Sequence, residues 1–228
     1  MLKVATPEVT LVGYTNSINL SAGIGMESDP EASPAESLME AAGRVCYQAQ
    51  NKPNPATERN KDYLANILRQ GHESVLEHTS FSFYIEGVSR ALTHELIRHR
   101  HLSYSQLSQR FVDESDTAIV LPPAIQEYSD NHMYLNYAVS VALDQYKKMV
   151  YRLQEQGLPR KQAREAARAA LPNCVETKIV VTGNVRAWRD MLKKRLDPSA
   201  DAEIRQVSQM IFEELNAIIP NALQDMSQ

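Results

Sequence analysis

Arg98-His99-Arg100-His101-Leu102-Ser103-Tyr104-Ser105-Gln106-Leu107-Ser108-Gln109-Arg110 is the stretch around which the rest of the chain is organised. Three guanidiniums, two imidazoles, three serine hydroxyls, a tyrosine and two glutamines fall within its thirteen positions, and only Leu102 and Leu107 can pack it inward. The run is too polar for a core element, and it lacks the Lys and Glu of an ordinary solvated surface. Two readings follow. Either its donors face a ligand rich in acceptors, or it is an arginine-rich turn that satisfies helix ends and surface carboxylates.

The background sharpens the first reading. The chain has 228 residues and a formal charge of -4, enough length for one domain with a real core and too acidic for a broad phosphate-binding surface. A local basic stretch in such a chain points to a defined anionic ligand and away from general binding of nucleic acid. Cys46 and Cys174 sit in no CxxC or Cys/His cluster, so neither a disulfide framework nor a zinc site is indicated, and both are expected to be buried thiols. The start, Met1-Leu2-Lys3-Val4-Ala5, lacks a signal peptide's apolar region and no run is long enough to span a membrane, so a reducing cytoplasm is the expected compartment.

Outward from the stretch, the flanking patterns are those of packed elements. On the N-terminal side, Ser89 can cap a helix to about Arg98, with Arg90, His94 and Arg98 on one face and Leu92 and Leu96 on another. Phe81, Phe83 and Ile85 alternate with Ser82, Tyr84 and Glu86 in a half-buried strand over residues 79 to 86. Asn60 is expected to cap a helix with Tyr63, Leu64, Ile67 and Leu68 inward and Gly71 as its stop. Gln50 to Arg59, with Pro53 and Pro55, reads as loop. Ser33, Pro34 and Glu36 start a helix reaching about Tyr47. Before it lie a loop over Asn16 to Pro34 and a strand over residues 9 to 14.

On the C-terminal side, Leu121-Pro122-Pro123 precedes a long helix from about Ser129 to Gln156. Its stripe, Leu135, Val139, Ala142, Tyr146, Met149 and Leu153, fits a core seam or a subunit contact. After Gly157-Leu158-Pro159 a second helix carries Arg160, Arg164 and Arg168 every four residues, a spacing usual for a solvated face. Val175, Thr177, Ile179 and Val181 mark another strand, Gly183-Asn184 leads into a helix from Val185 to about Leu196, and Ala200 to Ile219 forms the last. With no internal repeat or linker, residues 1–228 are expected to form a single α+β domain with an antiparallel or mixed sheet and a dominant helical part.

Arg98-His99-Arg100, seven residues, then Ser108 resembles the signature of the flavin-dependent thymidylate synthases. The likeness is specific because the whole run Thr93 to Arg110 fits, together with Gly71 to His78, Ala163 to Asn173 and Val181 to Trp188. It covers most of the chain from about Gly43 to Ile204. It implies a homotetramer with flavin sites between subunits and a methyltransferase that converts dUMP to dTMP. Methylenetetrahydrofolate gives the carbon, and FAD reduced by NADPH gives the electrons.

Position by position, the resemblance implies dUMP contacts at Glu95, Arg98, Gln106, Leu107, Ser108, Gln109, Arg110, Arg168 and Arg195. For FAD it implies Ser74, Arg98, His99, Arg100, Gln106, Asn184 and Arg186. Arg195 matches the arginine that stabilises a deprotonated pyrimidine N3, a fixed cation at developing negative charge. Guanidiniums suit these ligands because their planar fork stays charged and binds phosphate oxygens bidentately. Relatives often have histidine where this chain has Asp190 and Ser199, so both stay outside the expected site. Neither cysteine lies beside an activating motif and Ser108 has no evident triad, so Ser108 reads as a ligand contact.

The remaining polar residues divide between roles. His72, His78 and His94 read equally as structural donors or ligand contacts and do not have metal spacing; His132 reads as a surface residue. Trp188 fits the core better than a ring-stacking role. The competing function, an RNA-binding or nucleotide-sensing protein, would use Arg98 to Arg110 as a phosphate clamp.

Overall fold

The computed structural model describes residues 2–51, 54–127 and 129–226, so Pro53 of the expected loop lies outside the described residues. In chain order the elements are β1 (Val4–Ala5), β2 (Glu8–Tyr14), α1 (Leu20–Ile24), α2 (Pro34–Cys46), α3 (Asn60–Gln70), β3 (Ser80–Ser89), α4 (Arg90–Leu96) and β4 (Ser103–Gln106). There follow β5 (Ile119–Val120), α5 (Pro123–Glu127), α6 (Ser129–Glu155), α7 (Arg160–Ala167), β6 (Glu176–Asn184), α8 (Val185–Arg195), α9 (Ala202–Ile218) and α10 (Pro220–Leu223). This is a mixed α+β fold in which helix predominates.

The centre is a four-stranded antiparallel sheet in the order β2-β3-β6-β4. Period-2 alternation decides its faces. Phe81, Phe83, Ile85, Ile179 and Val181 point to one side and are fully buried beneath Trp188 and Leu192 of α8 and Ile204, Ile211 and Leu215 of α9. Trp188 is core, as its spacing suggested, and its indole N–H donates to the Phe81 carbonyl at 3.2 Å. Burying several such side chains, at about 1.5–3 kcal/mol each, is what holds helices and sheet together. Gly87, at a bulge of β3, has φ +66°, and a Cβ there would lie 1.8 Å from the Thr6 carbonyl oxygen.

A smaller unit flanks this core. β1 and β5 pair in parallel, and α6 covers them through Val139 and Leu143 while Tyr146 and Val150 pack on Ala163 and Ala167 of α7. The buried stripe of α6 thus runs Val139, Leu143, Tyr146, Val150; Met149, expected within it, is exposed. A spacing of four, three and four places Leu143 and Val150 toward β5 and α7 and turns Met149 out.

Several local expectations need correction. The polar stretch does contribute a sheet strand, β4, because β6 provides its ladder: Tyr104 and Gln106 lie opposite Val181 and Ile179 on the covered face, Ser103 and Ser105 opposite Thr182 and Val180 on the open one. The Asn16–Pro34 loop contains the short α1, bracketed by left-handed Asn19 and Gly25. Asn60 is the first helical residue of α3, not its cap, and its buried amide donates to the Glu36 carbonyl and Glu40. Cys46 is exposed at the end of α2, and Cys174 is half-buried. His132 is half-buried with an unpartnered Nε2. By contrast Ser33 caps α2 as expected, in a capping box with Glu36, and Gly71 closes α3 at φ 69°.

Candidate active site

The functional stretch is anchored from beneath. Ser89 caps α4 by accepting from the Leu92 N–H at 3.0 Å, and Glu203 of α9 accepts from the Ser89 N–H and hydroxyl at 2.7 and 2.6 Å. α4 stops at Leu96, and the chain turns back on itself. Leu102 enters the space above Gly183, where a Cβ would lie 2.1 Å from its Cδ2. The Tyr104 hydroxyl lies 2.7 Å from the Leu96 carbonyl and 2.8 Å from that of His99, sharing its proton across the turn. Burial pushes this phenol up to about 12, so it remains a donor. Arg98, Arg100 and His101 are left outward while His99 is turned in and buried.

Arg195, at the last position of α8, reaches this turn. Its Nε–H donates to His99 Nε2 at 2.9 Å, Nη2 donates to the Glu95 carbonyl at 3.0 Å, and Nη1 meets the Glu95 carboxylate. Burial and the adjacent Arg195 charge hold His99 below the usual imidazole range, opposed by Asp190, whose Oδ2 lies 3.9 Å from Nδ1. Asp190 is itself paired with Lys194 at 2.7 Å. Three expected site residues, Glu95, His99 and Arg195, are therefore in direct contact.

A second group meets on the covered side of the sheet. Gln106 donates to the Thr93 and Thr177 hydroxyls at 3.0 and 3.2 Å, and Arg90 donates to the same Thr177 hydroxyl at 3.4 Å. Burial lowers the Arg90 pKa, with Glu114 opposing and Arg168 adding to the shift. Glu114, 2% exposed, is raised by burial despite the Thr117 hydrogen bond and the Arg90 charge.

Beyond β4 the Leu107 N–H donates to the Lys178 carbonyl at 2.9 Å, extending the ladder by one residue. A turn then forms on the Ser108 carbonyl, which accepts from the Phe111 and Val112 N–H groups at 3.2 and 3.0 Å. Arg110 pairs with Glu165 of α7 at 2.7 Å, yet its Nε–H is not aimed at that carboxylate. Arg164 is buried, not solvated as its helical spacing suggested: it clamps the Phe111 carbonyl and Asp113, each at 2.6 Å. Of seven buried side-chain atoms without a hydrogen-bond partner among the described residues, four are here: Gln109 Nε2, Arg110 Nε, Glu114 Oε1 and Arg164 Nε.

The remaining expected flavin contacts lie at the other end of α8. Asn184 caps that helix, its Oδ1 accepting from the Ala187 N–H at 2.9 Å. Arg186 pairs with Glu77 at 2.6 Å and Glu73 at 3.7 Å, beside exposed Ser74 in a 3-10 turn over Glu73–His78. The eleven residues of α8 separate this end from Arg195 by about 16 Å. His72, His78 and His94 are all exposed. Arg90, Thr93, Tyr104, Glu114 and Thr177 were not singled out from the sequence. Arg90 had left a signal there by sharing a helical face with Arg98, and Tyr104 by lying within the polar stretch.

Arg90, Arg164 and Arg195 bring guanidiniums from α4, α7 and α8 to the polar stretch and the segments beside it, an arrangement suited to an α+β protein that recognises a nucleotide-like anion. Residues 31–221 match the profile of the family described as thymidylate synthase complementing protein. The flavin-dependent thymidylate synthase of Mycobacterium tuberculosis (strain H37Rv) is 48% identical over 205 residues, 87% of this chain and 81% of its own. That of Mycolicibacterium gilvum is 45% identical over 232 residues, covering 99% of this chain and 92% of its own. A probable flavin-dependent thymidylate synthase of Mycobacterium phage L5 is 50% identical over 197 residues, 84% and 81% of the two chains. The chain belongs to the flavin-dependent thymidylate synthase family.

Proposed function

We propose that this chain makes dTMP from dUMP by reductive methylation, with methylenetetrahydrofolate as carbon donor and FAD, reduced by NADPH, as reductant. Beyond family membership, the observation that carries this reading is the union of Arg195 with Glu95 and His99, which brings a fixed cation from α8 onto the polar turn. In this reading Arg195 faces the pyrimidine ring and stabilises negative charge at N3. Ser108, Gln109, Arg110 and Arg168 hold the phosphate and sugar, while Glu95, Arg98, Gln106 and Leu107 line the remainder. The Gln109 amide, whose Nε2 has no hydrogen-bond partner among the described residues, and the partly exposed Arg110 guanidinium suit a phosphate ester.

FAD fits the residues present. The guanidiniums of Arg98 and Arg100 have no hydrogen-bond or ion-pair partner among the described residues, which leaves them available to a pyrophosphate. Ser74, His99, Gln106, Asn184 and Arg186 complete the set. Bound flavin supplies the reducing electrons. The protein's part is to bind and orient, and nothing among the described residues activates a nucleophile: Cys46 donates to the Ala42 carbonyl at 3.3 Å, and burial pushes the Cys174 thiol up. Ser108 Oγ accepts from the Arg110 N–H and has no base beside it among the described residues.

The separation of the flavin set along α8 supports sites completed by neighbouring copies, and thus a homotetramer of single domains spanning residues 1–228. Exposed Met133, Tyr134, Tyr137 and Val141 on α6 offer apolar surface for such contacts. No helix among the described residues is long and apolar enough to cross a membrane, in keeping with a cytoplasmic enzyme. Titrating the flavin absorption of purified protein with dUMP tests the reading directly. A yellow protein whose spectrum shifts with dUMP, and which forms dTMP only with folate donor and reductant together, is expected. Colourless protein that takes up no added FAD overturns it.

A further inference from the structure

The contact between Arg195 and His99 constrains the imidazole. A guanidinium stays protonated and can only donate, so His99 Nε2, 2.9 Å from Arg195 Nε, must be the unprotonated acceptor. Neutral His99 therefore carries its proton on Nδ1. That nitrogen faces the Asp190 carboxylate at 3.9 Å, where negative charge favours a proton. Protonating Nε2 as well would set two donors and two positive charges against each other.

The groups facing this imidazole come from three elements. Asp190, Lys194 and Arg195 are presented by α8; Glu95 of α4 lies beyond Arg195 and binds its other two nitrogens; β4 contributes only the neutral Tyr104 hydroxyl, at the His99 carbonyl. Asp190 is thus the carboxylate that acts on Nδ1, and Lys194, at 2.7 Å from it, tempers its charge.

We infer that Asp190 is a positioning residue: its carboxylate keeps the His99 proton on Nδ1, leaving Nε2 to accept from Arg195 and fix the guanidinium. The catalytic meaning rests on the reading of Arg195 as the cation at the pyrimidine ring. Glu95 sets where two of the guanidinium nitrogens lie, and His99 sets its tilt through the third. Asp190 touches none of the ligands in this scheme and acts only through His99.

The test uses the purified full chain labelled with nitrogen-15, with the His99 ring signals among its six histidines identified by their loss in His99→Gln. In the parent protein at neutral pH, His99 should be a single neutral tautomer with its proton on Nδ1, titrating below free histidine, and Arg195 Nε–H should exchange slowly with water. Asp190→Ala, at an exposed helical position that alanine suits, should add the Nε2–H tautomer, lower the His99 midpoint, speed Arg195 Nε–H exchange and reduce kcat at little-changed KM for dUMP. Asp190→Glu should restore these readouts in part, and Lys194→Met should move the midpoint upward. An Nε2–H tautomer in the parent, or an Asp190→Ala variant unchanged in tautomer, exchange and kcat, overturns the inference. Spectra as expected from a protein that neither binds dUMP nor forms dTMP would leave the relay standing and remove the thymidylate reading instead.

Discussion

Arg195 is joined to Glu95 twice, through Nη1 to the carboxylate and through Nη2 to the backbone carbonyl at 3.0 Å, while Nε is spent on His99. Three separate acceptors on one turn thus define the plane of one guanidinium. A lysine at this position keeps the charge and cannot span all three, because its donors radiate from a single nitrogen. Arg195→Lys should therefore lower turnover by about 100-fold, the usual effect of losing one aimed donor at developing charge. dUMP affinity, measured by calorimetry, should change less than about threefold, since other guanidiniums carry the phosphate. Equal losses in both would make Arg195 a binding residue only.

Ser108 separates binding from chemistry in the opposite way. Its carbonyl organises the turn and its hydroxyl has no base. Ser108→Ala keeps the backbone bonds and removes one contact to the nucleotide, so dUMP should bind about tenfold more weakly, the equivalent of one hydrogen bond to a charged group. Turnover at saturating dUMP should survive. An inactive variant that binds dUMP normally would revive a nucleophilic serine.

How much of this was open to a reader of the sequence depended on how local the cause was. Ser33 as cap, Pro34 at the first helical position and Glu36 in the first turn lie within four positions of one another, so the start of α2 was legible to the residue. Strand β4 was not, because Ser103 to Gln106 has no apolar alternation; its place comes from Thr182, Val181, Val180 and Ile179 across the ladder. The same distance hid Thr177 and Thr93 as the acceptors of Gln106, and the burial of Arg164, which depends on Phe111 and Asp113 passing beside α7. The polar run itself was legible as a binding stretch by its composition. What composition could not give was that His99 turns inward between Arg195 and Asp190 while Arg98 and Arg100 stay out.

Tyr104 links the hidden strand to the site. Its hydroxyl lies against the Leu96 and His99 carbonyls at the two sides of the turn. Tyr104→Phe keeps the ring and leaves the carbonyls without this donor, at a cost of about 1–3 kcal/mol in stability. The turn carries His99 and, through it, Arg195, so kcat should fall more than the affinity for dUMP. Urea unfolding and steady-state kinetics on one preparation read both effects, and an unfolding midpoint and kcat equal to those of the parent would show that the hydroxyl is idle.

The last relationship ties the C-terminal end to α8 and gives a pH dependence of defined sign. Arg189, 1% exposed, donates to both Asp225 carboxylate oxygens at 2.7 Å and to the Ala222 carbonyl at 2.6 Å. Burial pushes the Asp225 carboxyl up, but the Arg189 hydrogen bonds and charge outweigh it and hold the group below the usual carboxylate range. A lowered folded-state pKa means that the stabilisation is present above the unfolded value, about 3.9, and is lost as pH falls through the folded one. Asp225 is 40% exposed on its side chain, so Asp225→Asn should cost about 2 kcal/mol at pH 7, less than the roughly 3–5 kcal/mol of breaking a fully buried pair. As pH falls from the unfolded value through the lowered folded one, to a limit below both, the parent loses the same charge, and the two unfolding curves should draw together. A gap that stays constant between pH 7 and that limit would assign the loss to packing of α10 against the core and not to the ion pair.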